Sequence, residues 1–246
     1  MTTGQIVFVL SVFFFAGAVK GLVGLGLPTV TIAVTALFLP LSDMIAVIAL
    51  PTIFTNIWQA AVGGQFLRIV RRQWTLMLPL MVFLYLTMWL AGQHGPKWAV
   101  LVLAAVLVAY GALGLFRIRL RIHPDLEKPL APVIGVVSGF VAGLVGVPVV
   151  PLMPYMQGLD VKPVELVQSL GVIVSIASIT LTASLLRYGL LDQRHVLISA
   201  LAVIPAVAGQ TVGTQIRRRL SIEQFRQVVF WALLLTGLYT FASRLL

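Results

Sequence analysis

The chain of 246 residues contains no cysteine. This excludes disulfides, iron–sulfur clusters and thiolate metal sites, and leaves the redox compartment unmarked. Histidine is nearly as scarce: His94, His123 and His195 are the full set, and all three fall in predicted loops. A solvated loop side chain is the ordinary role for such residues, so no metal site and no cofactor are expected. Asp and Glu together number 7 against 17 Lys and Arg. No histidine pair and no close carboxylate pair lies within an apolar run, which disfavours a membrane enzyme or metal-dependent assembly factor. A nucleotide-driven mechanism finds no GxxxxGK[ST] pattern to rest on. No Lys or Arg precedes Lys20 and no small-residue cleavage site follows, so the start of the chain does not read as a removable signal peptide.

Apolar sequence is what the chain has in abundance. It is 60% hydrophobic and 10% charged, with a mean hydropathy of +1.05, far beyond a soluble domain. Runs at 43–66, 74–91, 97–116, 164–186, 196–214 and 227–243 are nearly free of charge and about long enough for a hydrocarbon core of about 30 Å. Backbone groups in lipid must be satisfied within each segment, so the expected fold is all-α, a polytopic membrane helix bundle. The net charge of +10 would suggest nucleic acid in a soluble protein, but here Lys and Arg fall between the apolar runs, where they set orientation. The partners expected are therefore the lipid bilayer and a small solute, with no nucleic acid; the sequence sets no oligomeric state.

The chain repeats itself. Gly17, Gly21, Leu22, Val23 and Gly24 recur as Gly139, Gly143, Leu144, Val145 and Gly146, an offset of 139 − 17 = 122 that also relates Asp43 to Glu165, Arg72 to Arg194 and Gln93 to Gln215. A gapless register of this length predicts two structural copies, residues 1–122 and 123–246. Each copy reads as a hairpin of short apolar segments around a glycine break, then three spanning helices. The short segments, 5–19 with 27–39 and 131–142 with 147–159, have too few residues at about 1.5 Å each to cross fully, so each pair is expected to enter, turn near mid-bilayer and leave on the same side. Clusters at Arg68, Arg71 and Arg72, at Arg117, Arg119, Arg121 and Lys128, and at Arg217, Arg218, Arg219 and Arg226 mark cytoplasmic loops, while 92–97 and 187–195 are poorer in charge. An odd number of crossings per copy makes the copies inverted repeats. The expectation is a multi-pass protein of the inner, or plasma, membrane with both termini outside.

Paired broken segments in two inverted halves are the best sequence pointer to a midplane substrate site. The apices, Lys20 to Pro28 and Ala142 to Pro148, are expected to meet there, each with the N-terminus of its returning half-helix facing the centre. Unpaired N–H groups and the positive end of the helix dipole at two such points favour an anion. Gly21, Gly24, Gly26, Gly143 and Gly146 are candidates for the turn and for close approach of a ligand, whereas Gly17 and Gly139 suit tight helix packing. Pro28 and Pro148 suit positions at a helix start. Lys20 is the only basic residue expected deep in the membrane, where an ionisable group is a functional candidate; its matching position is Ala142.

The spans after the hairpins carry further polar groups. Thr52, Thr55, Asn56 and Gln59 form one stripe at helical spacing, and Gln168, Ser169, Ser175 and Ser178 lie on the matching span. Ser and Thr commonly bond back to their own helix. Asn56, Gln59, Gln168 and Ser178 are nonetheless retained as substrate-binding candidates. Asp43 and Glu165, each at the start of such a span, are coupling candidates for protons, with helix capping as the plainer role.

Gly17-x-x-Lys20-Gly21-Leu22-x-Gly24-x-Gly26-x-Pro28 in one half and Gly139-x-x-x-Gly143-Leu144-x-Gly146-x-Pro148-x-x-Pro151 in the other resemble the TauE/SafE family of membrane transporters, described as sulfite exporters, over essentially the whole chain. The second copy departs from the denser glycine run of such proteins at Val147 and Pro148. The resemblance implies a secondary transporter for a small sulfur-containing anion, such as sulfite, thiosulfate or an organosulfonate, working by alternating access. Residue chemistry alone reaches only to a small anion, and leaves an anion channel on the same scaffold as the alternative reading.

Overall fold

The structure is a computed structural model that describes residues 3–24, 26–92, 96, 98–116, 121–217 and 222–245. Leu25, Gln93, His94, Arg117, Arg119, Arg218 and Arg219, used above, lie outside the described residues, as do the side chains of Arg217 and Arg226. Eleven helices and no strand are found among the described residues: α1 (Thr3–Val23), α2 (Leu27–Thr35), α3 (Leu41–Val47), α4 (Ala49–Ala61), α5 (Phe66–Ala91), α6 (Ala99–Leu115), α7 (Pro124–Val145), α8 (Leu152–Gly158), α9 (Pro163–Arg187), α10 (Gln193–Arg217) and α11 (Ile222–Leu245). The fold is all-α.

Five of these helices, within α1, α5, α7, α9 and α10, are long and apolar enough to cross a membrane, and the bent pair α3 and α4 raises the number to six. Trp58, Trp74, Trp89, Trp98 and Trp231 are all exposed, together with large aliphatic side chains such as Leu90 and Ile204. Outward apolar and aromatic surface of this kind suits contact with lipid and its interfaces.

The first arm of each glycine hairpin differs from expectation. Segments 5–19 and 131–142 were expected to be too short to cross, yet they lie inside helices of 21 and 22 residues. Gly21 and Gly143, expected at the turns, do not interrupt either helix, and Gly17 and Gly139 pack against a neighbouring helix as expected. Glycine weakens a helix in water, but here it admits another backbone into contact, the small-residue packing of membrane bundles. Only the returning helices α2 and α8, of 9 and 7 residues, are short.

The chain divides into two compact units, each drawing on both halves of the sequence: Met1–Thr55 with Lys97–Arg117 and Leu191–Leu246, and Asn56–Pro96 with Ile118–Leu190. In the first unit α1 lies along α10, and α6 along α11. A Cβ on Gly17 or Gly21 would collide with backbone at Ala206 or Gln210, and one on Gly209 or Gly213 with backbone at Phe14 or Ala18. Both helices thus contribute a glycine pair one turn apart. The α6–α11 contact is sealed by Gly111 against the Leu234 backbone and by an edge-on Tyr110–Phe230 pair with ring centroids 5.5 Å apart. In the second unit α7 lies along α5, with Gly135, Gly139 and Gly143 against Leu76, Leu80, Leu84 and Thr87.

The third helical segment of the first unit is broken where its counterpart is not. Pro51 has no N–H and its ring clashes with the carbonyl four residues earlier, so the helix bends by 42° between α3 and α4. The Leu50 N–H, released from the helical pattern, donates to Ser199 Oγ of α10 at 3.0 Å. At the 122 offset, position 51 + 122 is Ile173, and α9 runs unbroken through it.

Candidate anion site

In the first unit α1 ends at Val23, and the chain turns through Gly24 (φ 89°) and Gly26 (φ 111°, ψ −3°) into α2. Side chains with a Cβ rarely adopt such angles, which is why glycine stands at both places. The Gly24 N–H closes α1 on the Lys20 carbonyl at 2.7 Å, and the Val30 N–H opens α2 on the Gly26 carbonyl at 2.8 Å. No side chain caps α2, and Pro28 occupies its first turn, as expected for a residue whose missing N–H costs nothing there. The amides of Leu27 and Thr29 therefore precede the first intrahelical bond at a buried helix N-terminus, the arrangement that attracts anions.

Lys20 lies in the last turn of α1, only 2% exposed, and its Nζ donates to Thr55 Oγ1 of α4 at 3.1 Å. Thr55 in turn donates to the Pro51 carbonyl at 2.7 Å. An ammonium at a helix C-terminus is favourable in itself, so packing and dipole both help to hold Lys20 in place. Thr29 and Thr31 of α2 are fully buried, and neither hydroxyl has a hydrogen-bond partner among the described residues. Sequence reasoning passed over both, because a threonine among Val, Ile and Ala in a short apolar helix gives no signal of its own. Asp43 keeps other company: in the first turn of α3 it accepts from Ser42 Oγ at 3.4 Å and stands 3.9 Å from His195 Nε2.

The second unit builds its turn differently. The Gly146 N–H (φ 80°) closes α7 on the Ala142 carbonyl at 2.8 Å, and a non-helical stretch then leads through Pro148 to Pro151, the N-cap of α8. Pro148 was expected at a helix start; instead it precedes α8, which begins at Leu152. The expected apex at Ala142 is still helical, since α7 continues to Val145.

Two of the remaining candidates, Gln59 and Gln168, hold helices together. Gln59 Nε2 donates to the Val167 carbonyl at 2.7 Å, and Gln168 Nε2 donates to the Ala60 carbonyl at 2.9 Å while its Oε1 accepts the Gln65 amide at 3.2 Å. This exchange joins the end of α4 to α9 where Gly171 lets the two backbones meet. Ser178 Oγ bonds back to the Val174 carbonyl at 2.7 Å. Asn56 is buried on α4. Gly21 and Gly143 serve helix contacts, as Gly17 and Gly139 do.

Glu165, in the first turn of α9, is one of two carboxylates gathered by Arg72. Glu127 takes the guanidinium through two bonds, from Nε at 2.6 Å and Nη2 at 2.8 Å, and Glu165 takes Nη1 at 3.2 Å. Tyr155 of α8 donates to the Glu127 carbonyl at 3.0 Å, so the cluster joins four helices of this unit. Burial pushes the Tyr155 phenol up to about 12, so it stays a donor at physiological pH. Among the described residues, no three His, Cys, Asp or Glu side chains gather so as to hold a metal ion.

Long apolar helices joined through glycine turns, with the buried Lys20 beside one of them, make a polytopic helical membrane protein. The sequence model of the family described as Sulfite exporter TauE/SafE matches residues 9–240. The chain belongs to this family, and membership implies a membrane exporter of sulfite or a similar small anion. No curated protein and no solved structure matches the chain.

Proposed function

We propose that the protein is a secondary transporter of a small sulfur oxyanion or organosulfonate, with the turn between α1 and α2 as its principal anion contact. The observation that carries this reading is Lys20: a buried ammonium beside a glycine turn whose following helix presents an uncapped, buried N-terminus. Lys20, Gly24, Gly26 and Pro28 form this contact, with the orphaned hydroxyls of Thr29 and Thr31 as the nearest additional donors in sequence. Gly146 and Pro148 give the second copy, residues 123–246, its own uncharged turn. Alternating access then follows from movement of one repeat against the other, as in other transporters built from repeats. On this reading Gly21 and Gly143 support the turns through packing, Gln59 and Gln168 hold helices, and Asp43 or Glu165 couples transport to protons.

Purified protein in liposomes, challenged with labelled sulfite, thiosulfate, organosulfonates and carboxylates under imposed pH gradients, tests each part. Saturable uptake of a sulfur anion with counterflow acceleration is expected, and conduction without either indicates a channel. Lys20→Ala and Gly24→Leu should both suppress uptake in protein that still elutes as a folded species; unchanged rates in both remove this turn from the site.

A further inference from the structure

His195 was expected in a loop, but it sits in the first turn of α10 with its side chain only 20% exposed. Asp192 caps that helix: its Oδ1 accepts the His195 amide at 2.7 Å, and its carbonyl accepts the Val196 amide at 3.0 Å. The same Oδ1 lies 2.9 Å from His195 Nδ1, which is buried and makes no hydrogen bond there because the contact is poorly aligned. The other ring nitrogen, Nε2, looks toward Asp43 Oδ1 of α3 at 3.9 Å. The imidazole is therefore bracketed, with one carboxylate oxygen at each nitrogen. The two acids stand on opposite sides of one ring, so they do not converge on a point that a metal ion could occupy.

Two acceptors facing one ring have a definite consequence. A neutral imidazole brings no charge to either carboxylate, whereas the cation lies within ion-pair distance of both, 2.9 Å from Asp192 and 3.9 Å from Asp43. The His195 amide holds the Asp192 carboxyl below its usual range, which keeps that acceptor ionised. The neighbouring charge on α10 is Arg194. Asp43 is the only ionisable side chain of α3, and Lys20 is the only one of α1, lying beside Gly21, whose contact on α10 is Gln210, about four turns below His195.

We propose that His195 is a proton-binding pin: its cation ties the start of α10 to the start of α3 by pairing with Asp192 and Asp43, and loss of the proton releases the tie to α3. What it pins is the upper half of the broken helix in the first unit, which α10 already holds one turn further down through Ser199 and Leu50. By the distribution of charged loops, the 187–195 segment is expected outside, so the external proton pool is the one sensed.

The test needs no substrate, so it stands or falls apart from the transport reading. Hydrogen exchange of the purified full chain in detergent micelles, corrected for intrinsic exchange rates, is followed between pH 8 and pH 5.5 in peptides covering 41–47 and 193–199. Protection of both should rise about two- to fivefold on acidification, the range of a partly exposed ion pair. His195→Gln and Asp43→Asn should each flatten that response while the remaining helices keep their protection. No rise in the unsubstituted protein, or the same rise in His195→Gln, overturns the proposal; a rise lost in His195→Gln but kept in Asp43→Asn overturns the tie to α3.

Discussion

The glycine turn after α1 and the glycine turn after α7 start alike and finish differently. Both helices carry paired glycines that seat them against a neighbour, and both close with a glycine amide bonded four residues back. Beyond that point the first turn uses two glycines at positive φ, at 24 and 26, and enters a helix at Leu27, whereas the second uses one, at 146, and delays its helix to Leu152, three residues past 27 + 122 = 149. The ammonium belongs to one turn only, because 20 + 122 is Ala142. The same asymmetry governs the next segment: Pro51 and Ser199 have Ile173 and Met77 as counterparts, so one copy has a bend with its freed amide satisfied and the other a straight helix. Glycine packing occurs in both halves, whereas the buried lysine and the bend occur in one.

Exchanging residues between the copies tests this division, with the largest effect expected where a bend is forced on the straight helix. Ile173→Pro should destabilise the protein by about 3 kcal/mol or more, since Met77 offers no hydroxyl to take the freed amide; thermal unfolding in detergent measures it. Lys20→Ala should lower anion uptake roughly 10- to 100-fold, the value of a charge-assisted hydrogen bond of about 1.5–3 kcal/mol, and adding Ala142→Lys should not restore it. Gly26→Asn should cost about 2 kcal/mol, while Gly146→Asn, closer to the ordinary left-handed region, should cost about 1 kcal/mol or less in the same assay. Ser199→Ala, the mildest change, should cost about 1 kcal/mol by removing the acceptor of the Leu50 amide, and Pro51→Ile should cancel that penalty by straightening the helix.

Much of the helix map was legible because charge-free runs of spanning length carry their own signal: 74–91, 164–186 and 196–214 all lie within single helices. The first hairpin arms were misjudged because glycine was weighed by its effect in water, while its role here depends on a partner helix that sequence order does not reveal. The bend at Pro51 within the expected span 43–66 was not read, since Pro79 and Pro205 sit inside continuous helices and its partner Ser199 lies 148 residues further on. Lys20 stood out as the one basic residue in an apolar run, so the charged part of the candidate site was legible. The engagements of Gln59, Gln168 and Glu165 were not, since each depends on carbonyls or a guanidinium brought close only by folding.

The Leu50–Ser199 bond has a mechanical meaning. A serine hydroxyl swivels about a single torsion, so it can follow the amide as the angle between α3 and α4 opens or tightens, and the backbone is never left bare in a medium without water. The kink is thus accommodated with its Leu50 amide satisfied, whereas α9 keeps its ladder unbroken. The first unit therefore sets a bend beside the buried lysine, where the corresponding helix of the second unit is continuous.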